Sequence, residues 1–99
     1  GNAGATNPEQ LFAAGYSACF NSALELVMQR AGIKAKSTVA IVVSLYEREP
    51  FDYLIGADIE GHVEGQSAEK TQELLEKAHE VCPYSKATRG NIEVTLKAV

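Results

Sequence analysis

Two cysteines, Cys19 and Cys82, are the side chains here best suited to making and breaking bonds near neutral pH, and both fall on apolar positions of predicted helices. Two thiols are too few for the disulfide framework of a small secreted domain. Three readings therefore stand side by side. Each can be a small core hydrophobe, since unpaired cysteine is among the most buried residue types. They can form a thiol pair that cycles through a disulfide, which needs Cα atoms about 4.4–6.8 Å apart and hence a second helix docked on Cys19. Or they can ligate a metal: His79 and Cys82 share a helix face at i, i+3, and Cys19 and His62 would complete a set, though without CxxC spacing. Glu9 is the acidic candidate. It stands at capping-box spacing after Thr6, which accounts for it without chemistry. Ten residues of straight helix put it about 15 Å from Cys19, so it serves a thiol site only from a partner subunit or across a break near Gly15. His62 and His79 read as solvated, and Arg30, Arg48 and Arg89 as surface or turn charges.

The element that must position Cys19 runs from Asn7 to Ala31. Thr6 with Glu9, or Asn7 with Pro8, marks its start, and Gly32 can supply a left-handed cap at its end. From Leu11 to Phe20 no residue is charged, and a helix apolar all round is covered all round. Gly15 costs about 1 kcal/mol relative to alanine, so close packing or bending must require it. Lys36–Arg48 is rich in β-branched residues and reads as a strand with Val39, Ile41, Val43 and Leu45 on one face. After the turn Glu49–Asp52, Tyr53–Val63 alternates, with Tyr53, Ile55, Ala57, Ile59, Gly61 and Val63 inward. Ser67 caps a second helix through Val81 whose apolar stripe is Leu74, Leu75, Ala78, Val81 and Cys82; Pro83 stops it. Tyr84–Gly90 reads as a loop and Asn91–Ala98 as a last strand. Helix, two strands, helix, strand is an α+β order, with an antiparallel sheet on one side of the long helix.

Ninety-nine residues make a single domain, with 45 % hydrophobic and 22 % charged residues. So small a chain has little surface to spare for wrapping a central helix, and a homodimer would supply more. A net charge of −4 argues against nucleic acid or an anionic membrane as partner. No uninterrupted apolar run nears the roughly 20 residues that span a bilayer, and no signal peptide is visible. The sequence opens GNAG with no initiator Met, an unusual start for a complete gene product. The two thiols fit a cytoplasmic setting.

TNPEQLFAAGYSACF at Thr6–Phe20 and VCPYSKATRGNI at Val81–Ile92 closely resemble the organic hydroperoxide resistance proteins, the Ohr branch of the OsmC/Ohr superfamily. The resemblance covers essentially all ninety-nine residues, and the CPYS form of the second motif is the Ohr one. It implies an intertwined homodimer with active sites at the subunit interface, and a cysteine-based peroxidase that reduces organic hydroperoxides to alcohols. Cys19 would be the peroxidatic thiol, Cys82 the resolving thiol, and Glu9 the residue that orients an active-site arginine. The family carries that arginine on an upstream strand segment, which has no counterpart in these residues. No bound cofactor or metal is implied; a dihydrolipoyl dithiol on a lipoylated protein would be the reductant. Leu11, Phe12, Tyr16, Phe20 and Tyr84 are candidates for an apolar substrate pocket. The alternative is a binding or interaction domain that keeps the dimer and the apolar cleft without turnover.

Overall fold

A computed structural model describes residues 7–99. The long helix α1 spans Pro8–Arg30. Asn7 caps it: its Oδ1 accepts the Gln10 backbone N–H at 2.8 Å, and the Gln10 side chain accepts the Asn7 N–H at 3.3 Å. The capping box therefore closes in the Asn7 register, with Pro8 in the first turn, where a missing N–H costs nothing. Thr6 lies outside the described residues. Glu9 is left free of capping duty, its carboxylate near the positive end of the helix dipole. At the other end Gly32 takes φ 73°, Ile33 N–H reaches Met28 O at 2.9 Å, and Gly32 N–H reaches Gln29 O at 3.1 Å. This is the paired bond pattern of a left-handed glycine cap.

Only one face of α1 is covered within the chain. Tyr16, Phe20, Ala23, Leu24 and Met28 are buried, but Leu11 is 60 % and Leu26 43 % exposed, and Ala14, Ala18 and Ser22 also face outward. The sheet and two further helices reach only its inner half, so the chain by itself does not wrap the helix on all sides. By length and mean hydropathy α1 is also sufficient to cross a bilayer, against the reading from uninterrupted runs. In this fold it lies on the sheet and against another helix instead.

Strands β1 (Ser37–Glu49) and β2 (Asp52–Val63) form the expected antiparallel hairpin, in register from Ser37 opposite Val63 to Glu47 opposite Tyr53, with a shift before Glu49 meets Asp52. Val39, Ile41 and Val43 pack toward α1 with Ala57, Ile59 and Val63. Leu45 and Tyr53, expected to face inward, are more than half exposed, because the turn end of the hairpin projects from the body. Helix α2 spans Ala68–Val81, capped by Ser67 Oγ accepting Lys70 N–H at 3.0 Å. Its inner stripe is Thr71, Leu74, Leu75 and Ala78, whereas Val81, placed in that stripe from the sequence, is 39 % exposed. Pro83 ends α2 but also opens a short helix α3 (Pro83–Thr88) where a loop was expected, since proline suits a first helical position. Strand β3 (Glu93–Ala98) then pairs with β2 in parallel, Gly56 opposite Glu93 through Gly61 opposite Ala98. The sheet among the described residues, ordered β1-β2-β3, is thus mixed rather than antiparallel. The reason is the connection: α2 and α3 carry the chain back along the sheet, the helical crossover that parallel pairing needs.

Gly61 faces this crossover helix. A methyl group there would collide with Cδ2 of Leu75, which is fully buried and has no space to turn away. Gly61→Ala is expected to destabilise the fold by about 1–3 kcal/mol through overpacking. A urea midpoint lowered at unchanged slope would confirm this, and an unshifted midpoint would refute it.

Candidate functional site

Cys82 is a joint. Its backbone N–H closes α2 on Ala78 O at 2.8 Å, its carbonyl receives the Lys86 N–H of α3 at 3.0 Å, and its own backbone is extended at φ −63°, ψ 123°. One residue thus caps both helices, and the change of direction brings its side chain against Cys19 of α1. The Cys82 thiol donates to Cys19 Sγ across 3.3 Å. Both cysteines are free thiols; Cys82 has no exposed surface, while Cys19 is half-buried. Of the three readings of these residues, the geometry brings together the thiol pair. The metal set does not form: among the described residues no three His, Cys, Asp or Glu side chains converge, and His62 instead bonds Val99 O at 2.6 Å.

A second contact runs beside the first. Tyr16, one turn before Cys19, shares a hydrogen bond of 2.7 Å with Ser85 Oγ, three residues after Cys82. Ser85 Oγ also meets His79 Nδ1 at 2.8 Å, and the Arg89 guanidinium donates to the His79 carbonyl at 2.7 Å. Tyr16 and Ser85 are fully buried, so each must be paired or pay desolvation. Sulfur and hydroxyl contacts together fasten α3 to α1. His79, read as solvated from the sequence, is half-buried in this chain of bonds. Burial lowers its pKa, the nearby Arg89 charge lowers it further, and Glu80 offsets part of this.

Burial pushes the Cys19 thiol above its ordinary range, and the adjoining Cys82 thiol adds to the shift. The backbone N–H of Tyr84 acts the other way by hydrogen-bonding the Cys19 sulfur. Among the described residues no lysine or arginine charge bears on Cys19. Glu9 sits in the first turn of α1, and the helix is unbroken through Gly15, so it stands about 15 Å along the axis from Cys19.

Aromatic rings gather where α1 meets α3. Phe12 stacks on Tyr84 at 6.0 Å between centroids and meets the edge of Tyr16 at 5.6 Å; Tyr16 and Tyr84 lie 5.8 Å apart. Gly15 is explained by the same cluster: a methyl there would come within 3.1 Å of the Tyr84 hydroxyl, so it is a ring rather than another backbone that presses on the helix. Phe20 is buried deeper in the core, 6.5 Å from Tyr16, and Leu11 lies on the exposed face of α1. Phe12 also forms a wall of an open cleft of about 500 Å³, shared with Leu45, Tyr53, Ile55 and Ile92 and with Arg48, which Asp52 holds at 2.8 Å. Ser85 and the Tyr84 N–H escaped the sequence reading because Tyr84–Gly90 reads there as a loop, and His79 because its spacing reads as solvated. The available signal was a proline directly after Cys82, fit for a first helical turn.

A family model described as OsmC-like protein matches residues 1–97. The organic hydroperoxide resistance protein OhrA of Bacillus subtilis is 53 % identical over 94 residues, covering 94 % of this chain and 67 % of its own. Among solved structures, an organic hydroperoxide resistance protein from Elizabethkingia anophelis is 50 % identical at a TM-score of 0.88, covering 94 % of this chain and 67 % of that one. OhrB of Bacillus subtilis is 48 % identical at a TM-score of 0.89, covering 98 % and 74 %. The chain spans about two thirds of the length of the curated relatives it matches.

The lowered pKa of His79 has a stability consequence. The unfolded chain takes up its proton near pH 6.5, while the folded state resists it, so stability is intact above that pH and falls as pH drops through it. Thermal melts between about pH 7.5 and 5.5 should show the melting temperature falling as the pH drops. His79→Gln should flatten that dependence; an unchanged slope in the variant would contradict it.

Proposed function

The chain belongs to the OsmC-like family, and from that membership and the thiol contact we propose that it reduces organic hydroperoxides to alcohols through Cys19 and Cys82. The observation that carries the reading is the 3.3 Å separation of two free sulfurs that lie far apart in sequence. The Cys19 thiolate attacks the terminal oxygen of ROOH. The O–O bond breaks, the alkoxide leaves and takes a proton as ROH, and Cys19 carries a sulfenic acid. The Cys82 sulfur, already in contact, attacks that sulfenic sulfur and expels water, leaving a Cys19–Cys82 disulfide. Sulfur contact at 3.3 Å needs only a small closing movement to reach the roughly 2.0 Å of that bond. No resident cofactor is required, because the sulfurs carry both electrons; an external dithiol of the dihydrolipoyl type, on a lipoylated protein, restores them.

Phe12, Tyr16 and Tyr84 supply the apolar flank that favours a bulky R group, with Leu11 and Phe20 as more distant contributors. The outward face of α1, with Leu11 and Leu26 exposed, supports a homodimer in which a second copy covers it. In that assembly Glu9 of one subunit would serve the site of the other, where the resemblance implies that it orients an arginine with no counterpart among these residues; such a cation would favour the Cys19 thiolate against burial. A reducing, cytoplasmic setting suits a site whose resting form is two free thiols. Nucleic acid and membrane have no part in the scheme.

Mixing the reduced protein with cumene hydroperoxide should consume both thiols, and Cys19→Ser should abolish this. Cys82→Ser should keep the first step and leave a sulfenic acid that dimedone traps. Thiols unchanged over minutes would sink the proposal, and apolar-ligand uptake without turnover would favour the binding-domain alternative. In addition, because burial raises Cys19, the rate for this chain should climb with pH through and beyond about 8.5, the ordinary thiol value. A rate flat from pH 6 upward would show a thiolate already formed.

A further inference from the structure

The two sulfurs differ in reach. Cys82 has no exposed surface, being the joint of α2 and α3 held against α1, whereas Cys19 keeps part of its surface open. Because the sulfurs already touch, closing them into a disulfide takes a small movement that preserves this asymmetry. A thiolate attacks a disulfide at one sulfur and expels the other, and access decides which one. An attack on Cys82 would have to enter beside Ala78 and Ser85, both fully buried. An attack on Cys19 instead meets a residue that keeps part of its surface open.

We propose that the reducing dithiol attacks the Cys19 sulfur and that Cys82 is always the leaving group, so that oxidant and reductant take turns at one atom. This rests on the peroxidase reading above for its biological sense, but its geometry stands on the disulfide alone. One thiolate of the dithiol bonds to Cys19 Sγ as the S–S bond breaks. The electron pair departs on Cys82 Sγ, which takes a proton and returns to its thiol. The second thiol of the reductant, once deprotonated, attacks the reductant's own sulfur in the mixed disulfide. It closes the reductant into a cyclic disulfide and releases Cys19 as a thiolate. Hydroperoxide and dithiol therefore compete for a single opening, and the Phe12–Tyr84 pair beside it contacts the apolar stem of each in turn.

The test forms the Cys19–Cys82 disulfide with diamide, so that it does not depend on hydroperoxide turnover; failure to consume hydroperoxide would count against the peroxidase reading alone. A brief pulse of the monothiol N-acetylcysteine, an acid quench, N-ethylmaleimide labelling and peptide mass spectrometry then locate the mixed disulfide. It is expected on the Cys19 peptide, with maleimide on Cys82, in excess over the reverse by on the order of tenfold or more. The same pulse in concentrated urea should abolish the bias. Equal labelling in the folded protein, a mixed disulfide on Cys82, or a bias that survives unfolding would each overturn the proposal.

Discussion

The site depends on one docking event, the seating of the α2–α3 joint against the middle of α1. Two polar contacts lock it, thiol to thiol and phenol to serine hydroxyl, one helical turn apart on α1 and three residues apart across Cys82. Neither contact is strong alone, since an exchanged hydrogen bond is worth about 1 kcal/mol net. Their value lies in burial: leaving Tyr16 or Ser85 unpaired in the core would cost more than the bond returns. The joint is therefore held to one register, and the sulfurs meet because the hydroxyls do.

That docking sets two demands against each other. Bringing Cys19 against a second thiol and under aromatic rings shields the sulfur from water and from irrelevant oxidants, but the same shielding disfavours its charged form. The Tyr84 N–H is a partial answer, placed by the short helix that Pro83 starts. A cation is the fuller answer. Meanwhile α1 has an outer face of small residues flanked by leucines, so the helix that carries Cys19 also presents an apolar surface left open.

Much of this was legible in the residues. The limits of α1, its glycine cap, the turn of the hairpin and the Ser67 cap all follow from local chemistry, because each depends on groups within four or five residues. What was not legible depends on distance. The parallel direction of β3 is decided by how far α2 and α3 carry the chain, which no alternation pattern encodes. The exposure of Leu45 and Tyr53 is decided by where α1 stops covering the hairpin, and their apolar character says nothing of that. His79 looked like a wet-side residue by spacing, and only the fold reveals that Ser85 and Arg89 close over it. Conversely, the pairing of Cys19 with Cys82 could be framed from sequence as a condition on helix docking, and the condition is met.

The placement of the aromatic rings gives the molecule a built-in optical reporter. The chain holds four tyrosines and no tryptophan. Tyr16, one turn from Cys19, is fully buried against the ring of Tyr84, two residues from Cys82, while Tyr46 and Tyr53 are more than half exposed on the hairpin. Near-ultraviolet circular dichroism, which vanishes for freely tumbling chromophores, thus includes a contribution from the buried ring next to the thiols. The state of the pair can be followed by light in the unmodified protein, with no label attached.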